Sequence, residues 1–428
     1  MVPQRAMYAA GGAAGAVIWL QLDKHVFAPE EEAAPAPEFT EPGASLHEGR
    51  TTRFGLPGRE NLRFRQSYVA SVNYERRIPN WVAEHLRQGA GAGPGERKKS
   101  RFAADASVPP AFRSDNGDFL GSGWSRGHMA PCGAHKDSQR DMDETFALSS
   151  NILPQDPSNN GSDWLRLERF ARKLPSREHP EVFVVSGPLF LPEGALEEAK
   201  AEWRAAEVKA AAEAAAAEAK AALPKAAAEE AEAAAPAAAA AAASAGDDPN
   251  AAALVKKKKV WPPKKVRVVS YPVLGEGGVA VPTHLFKVLL AVDAAGVPRG
   301  LSTFVMANAP ATDAPALEGF VVPLEFVERY SGLQFFDRLD EVRALIPPLC
   351  GGSEGKPCAV KCDARIMGWK VLGKLQASTS CAQLRRAWGE VNALSADLEK
   401  DFRGLGQFER AHAKAKKKLG CTDDKKKA

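Results

Sequence analysis

Between residues 193 and 261 lies a segment that cannot build a core. Close to half of its positions are alanine, and Glu and Lys fill much of the remainder. Leu196 to Leu223 contains no Pro or Gly and consists largely of strong helix formers, which predicts a solvated helix of roughly 40 Å. Only Leu196, Trp203 and Val208 along it could anchor to anything, so it lacks a continuous apolar stripe. Pro224 and Pro236 break the pattern, and Asp247-Asp248-Pro249-Asn250 is loop chemistry. Lys256–Lys259 reads as a solvated charge run or as a phosphate-contacting patch. The fold must therefore be assembled from the sequence on either side, with 193–261 looped out as a low-complexity insertion.

Those flanks leave room for one large domain plus extras in a chain of 428 residues. The 57 basic and 53 acidic residues give a net charge of +4, which excludes a histone-like polycation but permits a local basic stripe. Six cysteines without a CxxC exclude a disulfide-dense secreted scaffold and disfavour a zinc ribbon. Beyond the N-terminus no apolar run is long enough for a polytopic membrane protein. Ala6 to Leu22 carries no charge and would extend about 25 Å as a helix, with Gly11 and Gly15 on one small-residue face. It reads as a membrane anchor or targeting segment, with a signal peptide and a disordered Ala/Gly tail as the other readings. Residues 27–50 are Pro- and Glu-rich, hence a linker, so 1–50 forms a separate region.

Globular composition begins near Arg53. Tyr68–Val72 alternates like a strand. Trp81–Leu86 after Pro79 predicts the start of a short helix. Val182–Val185 predicts a buried strand ending in a turn at Ser186-Gly187-Pro188. Val266–Val269, Val279–Val281 and Phe286–Val292 predict further strands. Strands with few interleaved helices indicate an α+β fold rather than a doubly wound sheet. A third region, 346–428, follows Pro347-Pro348. Its Cys350, Cys358, Cys362 and Cys381 have spacings that match no zinc finger, so reduced, partly buried thiols are expected. Residues 379–420 predict helices with a basic end at Lys414 and Lys416–Lys418.

The chemistry concentrates in Ser122 to Glu168. On an extended chain Arg126 and His128 face the same way, so a permanent cation and a titratable base look into one cleft, with Gly127 leaving room for a close approach. An unperturbed imidazole there would titrate near pH 6.5 and make activity decline in acid. Pro157-Ser158-Asn159-Asn160-Gly161 is a turn, after which a helix carries Trp164, Leu165 and Leu167. On one continuous helix, Asn160 and Glu168 would lie roughly 80° apart and about 12 Å along the axis. An Asn carbonyl is a hard, neutral ligand suited to Mg²⁺, and a nearby carboxylate can hold one of its waters. Base, cation, metal ligand and acid together suggest phosphodiester hydrolysis. His128, Cys132 and His135 form a rival, zinc-like set without a fourth ligand. Singly, Arg126 could pair any carboxylate, Asn160 could be a turn or cap residue, and Glu168 a surface helix residue.

The runs SRGHMAP, DETF, LSSNILPQ and N-x3-W-x2-LE resemble the ββα-metal (His-Me finger) DNA/RNA non-specific nucleases, and within them the mitochondrial endonuclease G and exonuclease-like group. The likeness extends through Tyr74–Leu86, Val184–Pro192, Val279–Val288 and Ser331–Phe335. It implies a ββα-metal core with a mixed or antiparallel sheet over residues 51–345, interrupted by the insertion and followed by a helical module. It implies His128 as general base, Arg126 as a phosphate-holding residue, Asn160 as the direct Mg²⁺ ligand (Mn²⁺ being the alternative ion) and Glu168 as the acid that orients water. It further implies DNA and RNA as substrates, 5′-phosphate and 3′-hydroxyl products, a homodimer, and a mitochondrial location at the inner membrane or intermembrane space, tethered through residues 6–22. Two positions depart from the commoner pattern. Ser125 stands where Asp is usual, as in the exonuclease-like members, so a 5′-exonuclease bias stays open beside endonuclease action. Ser149-Ser150-Asn151 is one residue longer than usual, which leaves Asn151 out of the ligand set. The competing reading is a catalytically weak nucleic-acid-binding scaffold of the same fold.

Overall fold

The computed structural model describes residues 50–221, 266–313, 315–349, 358, 360, 363–402 and 404–421. Residues 6–22, the Lys256–Lys259 run, Cys350 and Cys362 lie outside them. In chain order the strands are β1 (Leu62–Phe64), β2 (Tyr68–Asn73), β3 (Ile78–Arg87), β4 (Ala103–Ala104), β5 (Ser125–His128), β6 (Ala147–Leu148), β7 (Ile152–Gln155), β8 (Glu181–Leu189), β9 (Val273–Leu274), β10 (Val279–Ala280), β11 (His284–Val292), β12 (Pro298–Ala307) and β13 (Val321–Val322). The helices are α1 (Asn116–Phe119), α2 (Gln139–Glu144), α3 (Pro157–Gly161), α4 (Asp163–Lys173), α5 (Ala195–Ala221), α6 (Leu324–Ser331), α7 (Ala364–Ala377), α8 (Cys381–Ala393), α9 (Ser395–Phe402) and α10 (Gly406–Leu419).

A seven-stranded sheet in the order β1-β2-β3-β8-β11-β12-β13 is antiparallel throughout. Both of its faces are covered. Leu285, Leu289 and Ala291 of β11 enter one core with Val82, Val184, Met129, Trp164 and Leu167, while Phe286, Val288 and Leu290 enter the other with Trp81, Ala83, Phe183, Val185 and Phe335. This arrangement corrects the helix expected at Trp81–Leu86. Those residues form β3, whose side chains alternate between two cores, so the usual inside/outside signal is absent. The turn expected at Ser186-Gly187-Pro188 is also absent. The strand runs on to Leu189, pairing beyond Ser186 with β11 only, where a proline is tolerated. Val266–Val269 is not a strand; Val266 and Val268 are exposed and pair with nothing regular.

The segment from β4 to α4, called the finger below, packs on the first of these faces. Its small sheet runs β4-β6-β7-β5, mixed in direction, with β5 and β7 antiparallel. The extra residue expected near Ser149 is absorbed between β6 and β7, where Ser149 adopts a left-handed φ of 69°. Helix α5 matches the expected solvated helix, but its root is not free. Ala195 and Leu196 are buried in the second core, and Lys200 donates to the Gly319 carbonyl at 2.9 Å. It lies between β8 and β11, which are neighbours in the sheet.

In the C-terminal region α7 to α10 share a core of Val371, Leu375, Leu384, Val391 and Phe408. The expected reduced thiols are corrected here. Cys381 is disulfide-bonded to Cys421, and Cys358 is also in a disulfide. The packing of α8 against α10 brings the Cα atoms of Cys381 and Cys421 to 5.7 Å, a pairing that sequence spacing does not reveal. Helix α7 docks on the finger. Lys370 donates to Asp163 at 2.7 Å, Asp363 accepts from Arg169 at 2.7 Å, and the Trp369 ring covers Gly161, where a Cβ would lie 2.3 Å from it.

The buried root divides the insertion. Replacing residues 206–261 by a short Gly/Ser link should leave the thermal midpoint unchanged and any catalytic rate within about threefold, because loop closure depends weakly on length. Leu196→Ala should instead destabilise by about 2–4 kcal/mol in urea unfolding.

Candidate active site

Strand β5 places Arg126 opposite Pro154 and His128 opposite Ile152 of β7. Both side chains line one cleft of about 550 Å³ together with Asn160 and Glu168, so the four residues picked out in the sequence come together. Gly127 serves another purpose than the expected close approach. A Cβ there would meet Gln155 Oε1 at 2.1 Å, so its smallness accommodates Gln155 behind the strand.

The His128 ring lies against Phe102 and edge-on to Phe146, with centroids 5.4 and 4.9 Å away. Its backbone carbonyl accepts from Trp164 Nε1 at 3.2 Å, which ties β5 to α4. Burial, reinforced by Arg97 and His135, pushes the imidazole down to about 3. The side chain is half-buried by area, yet its walls are aromatic and cationic, and both disfavour the charged ring. His128 is therefore neutral at pH 7, and its Nε2 is buried without a hydrogen-bond partner among the described residues. The expected acid limit near pH 6.5 is displaced.

Asp156 caps the first turn of α3, accepting from Ser158 N and Asn159 N, and Pro157 occupies the first helical position. The helix is not continuous. Ser162, with φ −123° and ψ −90°, separates α3 from α4, so the single-helix geometry drawn for Asn160 and Glu168 does not apply. Asn160 Nδ2 donates to Ser125 Oγ at 3.0 Å, and that hydroxyl donates to the Gln155 carbonyl at 2.8 Å. With its amide nitrogen engaged, Asn160 keeps Oδ1 as its acceptor for the cleft; this assignment follows from the hydrogen-bond network. Ser125 thus has a positioning role at the place where it departs from the commoner motif. Burial pushes the Glu168 carboxyl up to about 7; Lys287 opposes this and Glu84 adds to it.

Arg126 donates to Asn116 Oδ1 and lies over the Phe102 ring at 4.5 Å. Arg97, Arg172 and Arg365 also line the cleft, as does Trp369. None of these was singled out in the sequence. Arg172 was legible as the residue one turn after Glu168 on the same helix face. Arg97 lies in a basic run, but Arg365 and Trp369 arrive on α7 through packing alone. The C-terminal module therefore reaches the cleft through its first helix, and its lysine end is not among the lining residues. Asn151 is a structural residue. Fully buried, it accepts from Ala130 N at 2.8 Å and donates to the Ala130 and Thr145 carbonyls. The rival metal set is not assembled, because His135 Nε2 engages Glu84 Oε1 at 2.7 Å.

Residues 47–342 match the model of the family described as DNA/RNA non-specific endonuclease. The chain belongs to that family. It is 33% identical to "Endonuclease G, mitochondrial" of Homo sapiens over 306 residues, covering 72% of this chain and 80% of that one. It is 34% identical to "Nuclease EXOG, mitochondrial" of Homo sapiens over 304 residues, covering 70% of this chain and 64% of that one. It is 33% identical to "Nuclease C1" of Cunninghamella echinulata var. echinulata over 298 residues, or 67% and 88% of the two chains. The α+β nuclease fold and a DNA/RNA nuclease activity follow from this membership.

The shifts at His128 and Glu168 set the pH dependence. A carboxyl raised to about 7 is ionised only above that value, whereas His128, held near 3, does not titrate in this range. Cleavage at sub-saturating metal should fall as pH drops through about 7, the limb moving to lower pH as metal is added because a cation favours the carboxylate, and the residual rate of Glu168→Gln should be level there. An acid limb that survives in Glu168→Gln would assign it to another group.

Proposed function

We propose that the chain is a metal-dependent, sugar-non-specific phosphodiesterase that cuts DNA and RNA to 5′-phosphate and 3′-hydroxyl ends. The observation that carries this reading is the gathering of an imidazole, a side-chain amide, a half-buried carboxyl and a braced arginine in one cleft. Neutral His128 takes a proton from water as it attacks phosphorus. Arg126, braced by Asn116 and Phe102, holds a non-bridging phosphate oxygen. Glu168, when ionised, accepts hydrogen bonds from water beside Asn160.

The residues fit a hard divalent cation. Asn160 Oδ1 is a neutral oxygen donor, and no group of three His, Cys, Asp or Glu able to hold a metal occurs among the described residues, so an ion keeping most of its water suits the donor set. Asn160 would hold Mg²⁺, or alternatively Mn²⁺. When bound, the ion neutralises charge building on the leaving 3′-oxygen. The scaffold reading is less well supported, since every side chain the chemistry needs lines one cleft.

His128→Ala should lose about 10²–10⁴-fold in rate while still binding DNA. Asn160→Ala should raise the Mg²⁺ concentration needed for half-maximal rate. Both are measured by plasmid nicking across a Mg²⁺ titration, with EDTA as the blank. If His128→Ala keeps a tenth of the wild-type rate, the proton-transfer role fails; an unchanged metal dependence in Asn160→Ala removes its ligand role. Comparing circular with linear substrates separates endonuclease action from a 5′-exonuclease bias.

The same proposal places the protein in mitochondria, at the inner membrane or intermembrane space, as a homodimer. The names of the human relatives and the uncharged run at residues 6–22 support the location. No helix among the described residues is long and apolar enough to cross a membrane. A fluorescent fusion of residues 1–45 should enter mitochondria and resist carbonate extraction; a diffuse cytosolic signal would reject the location. Sedimentation should give twice the 45.7 kDa chain mass, less any segment removed on import.

A further inference from the structure

Beneath the cleft, the apolar face of the large sheet is interrupted by three polar side chains on neighbouring strands: Glu84 of β3, Ser186 of β8 and Lys287 of β11. All are essentially inaccessible to solvent. Lys287 alternates with Phe286 and Val288, so it points toward the finger, as Leu285 and Leu289 do. Its ammonium donates to Ser186 Oγ and, at 3.4 Å, to the carbonyl of Met129, the residue after His128. It also sits 4.8 Å from the centroid of Trp164, one turn before Glu168 on α4. A buried ammonium is costly unless opposite charge is close. Burial holds the Lys287 ammonium below the usual lysine range, and Glu84, from the sheet side, and Glu168, from the cleft side, oppose that.

We propose that Lys287 is a positioning residue of the nuclease: its buried ammonium docks the finger that carries His128 onto the central sheet and serves as the counter-charge of Glu168. This rests on the role given to Glu168 above. The other groups facing Glu168 do not replace it. Glu84 has the same charge as Glu168 and is bonded to His135. Arg172 lies on α4 itself and lines the open cleft, where substrate phosphate competes for it, as it does for Arg97 and Arg365. Cys132 and Trp164 carry no positive charge. The arrangement also gives Glu84 a purpose. Lys287 is shared between two carboxylates, so its hold on Glu168 depends on how strongly Glu84 draws on it.

The test compares Lys287→Met, Glu84→Gln and Glu168→Gln in the full chain. Two readouts are used: kcat and KM on duplex DNA across pH, and, in metal-free protein, the infrared band of a protonated carboxyl that disappears in Glu168→Gln. Lys287→Met should lower kcat by about fivefold or more at pH 7 with KM within about twofold. Its carboxyl band should persist to higher pH by roughly one unit or more. Glu84→Gln should move the band and the acid limb to lower pH, the opposite direction. A lysine that merely filled space would lower the thermal midpoint and leave the band where it was. If Glu168→Gln is impaired but both variants titrate as wild type, the positioning role is overturned while the nuclease reading stands. If Lys287→Met does not fold, the double variant Glu84→Gln/Lys287→Met is compared with Glu84→Gln, which on its own also removes the direct repulsion of Glu168 by Glu84; the band should lie at higher pH in the double variant, and equal bands overturn the positioning role. If Glu168→Gln keeps full kcat, the fault lies with the role of Glu168 itself.

Discussion

Everything else in the molecule hangs on the antiparallel pairing of β3, β8 and β11. These central strands are buried on both faces, and the alternation of their side chains sorts residues into two cores. One core is ordinary sheet-on-helix packing, closed by Phe286, Phe335 and α6. The other receives the finger, and only there do Glu84, Ser186 and Lys287 interrupt the apolar surface. A slip of one residue in β11 would turn Lys287 into the wrong core and leave its ammonium without a carboxylate.

On that foundation the finger is fixed by backbone-directed hydrogen bonds. Asn151 holds the chain just after His128 through Ala130, Trp164 holds the carbonyl of His128, and Ser125 turns the amide of Asn160. The result is a cleft whose walls keep an imidazole neutral and a carboxyl poised near neutrality. Opposite shifts in two titratable groups of one cleft are what distinct acid–base roles require.

Much of the site was legible because its logic is local. The i, i+2 relation of Arg126 and His128 holds on any strand, and the Asn160-to-Glu168 run keeps both residues at one cleft even though Ser162 breaks the helix. What escaped depends on long-range packing. Trp81–Leu86 looked helical because a strand covered on both faces loses its polar alternation, and Ser186-Gly187-Pro188 looked like a turn because its residue types usually make one. Arg365, Trp369 and the Cys381–Cys421 disulfide depend on how α7 to α10 fold back, which no spacing encodes. Lys287 and Glu84 lay within stretches already noted for family likeness, yet on their own each is an unremarkable charged residue in a strand.

The position of the insertion bears on how the molecule assembles. Roughly ninety residues separate the end of β8 from the start of β11, although these strands are immediate neighbours. Without the Ala-rich segment the connection would be about a quarter as long. Two doublings of loop length cost only about 1.2 kcal/mol in closure entropy. Yet that seam joins the two halves of the sheet, and contacts distant in sequence slow folding. The segment thus weighs little on the finished structure but delays the moment at which the nascent chain can zip its central strands together.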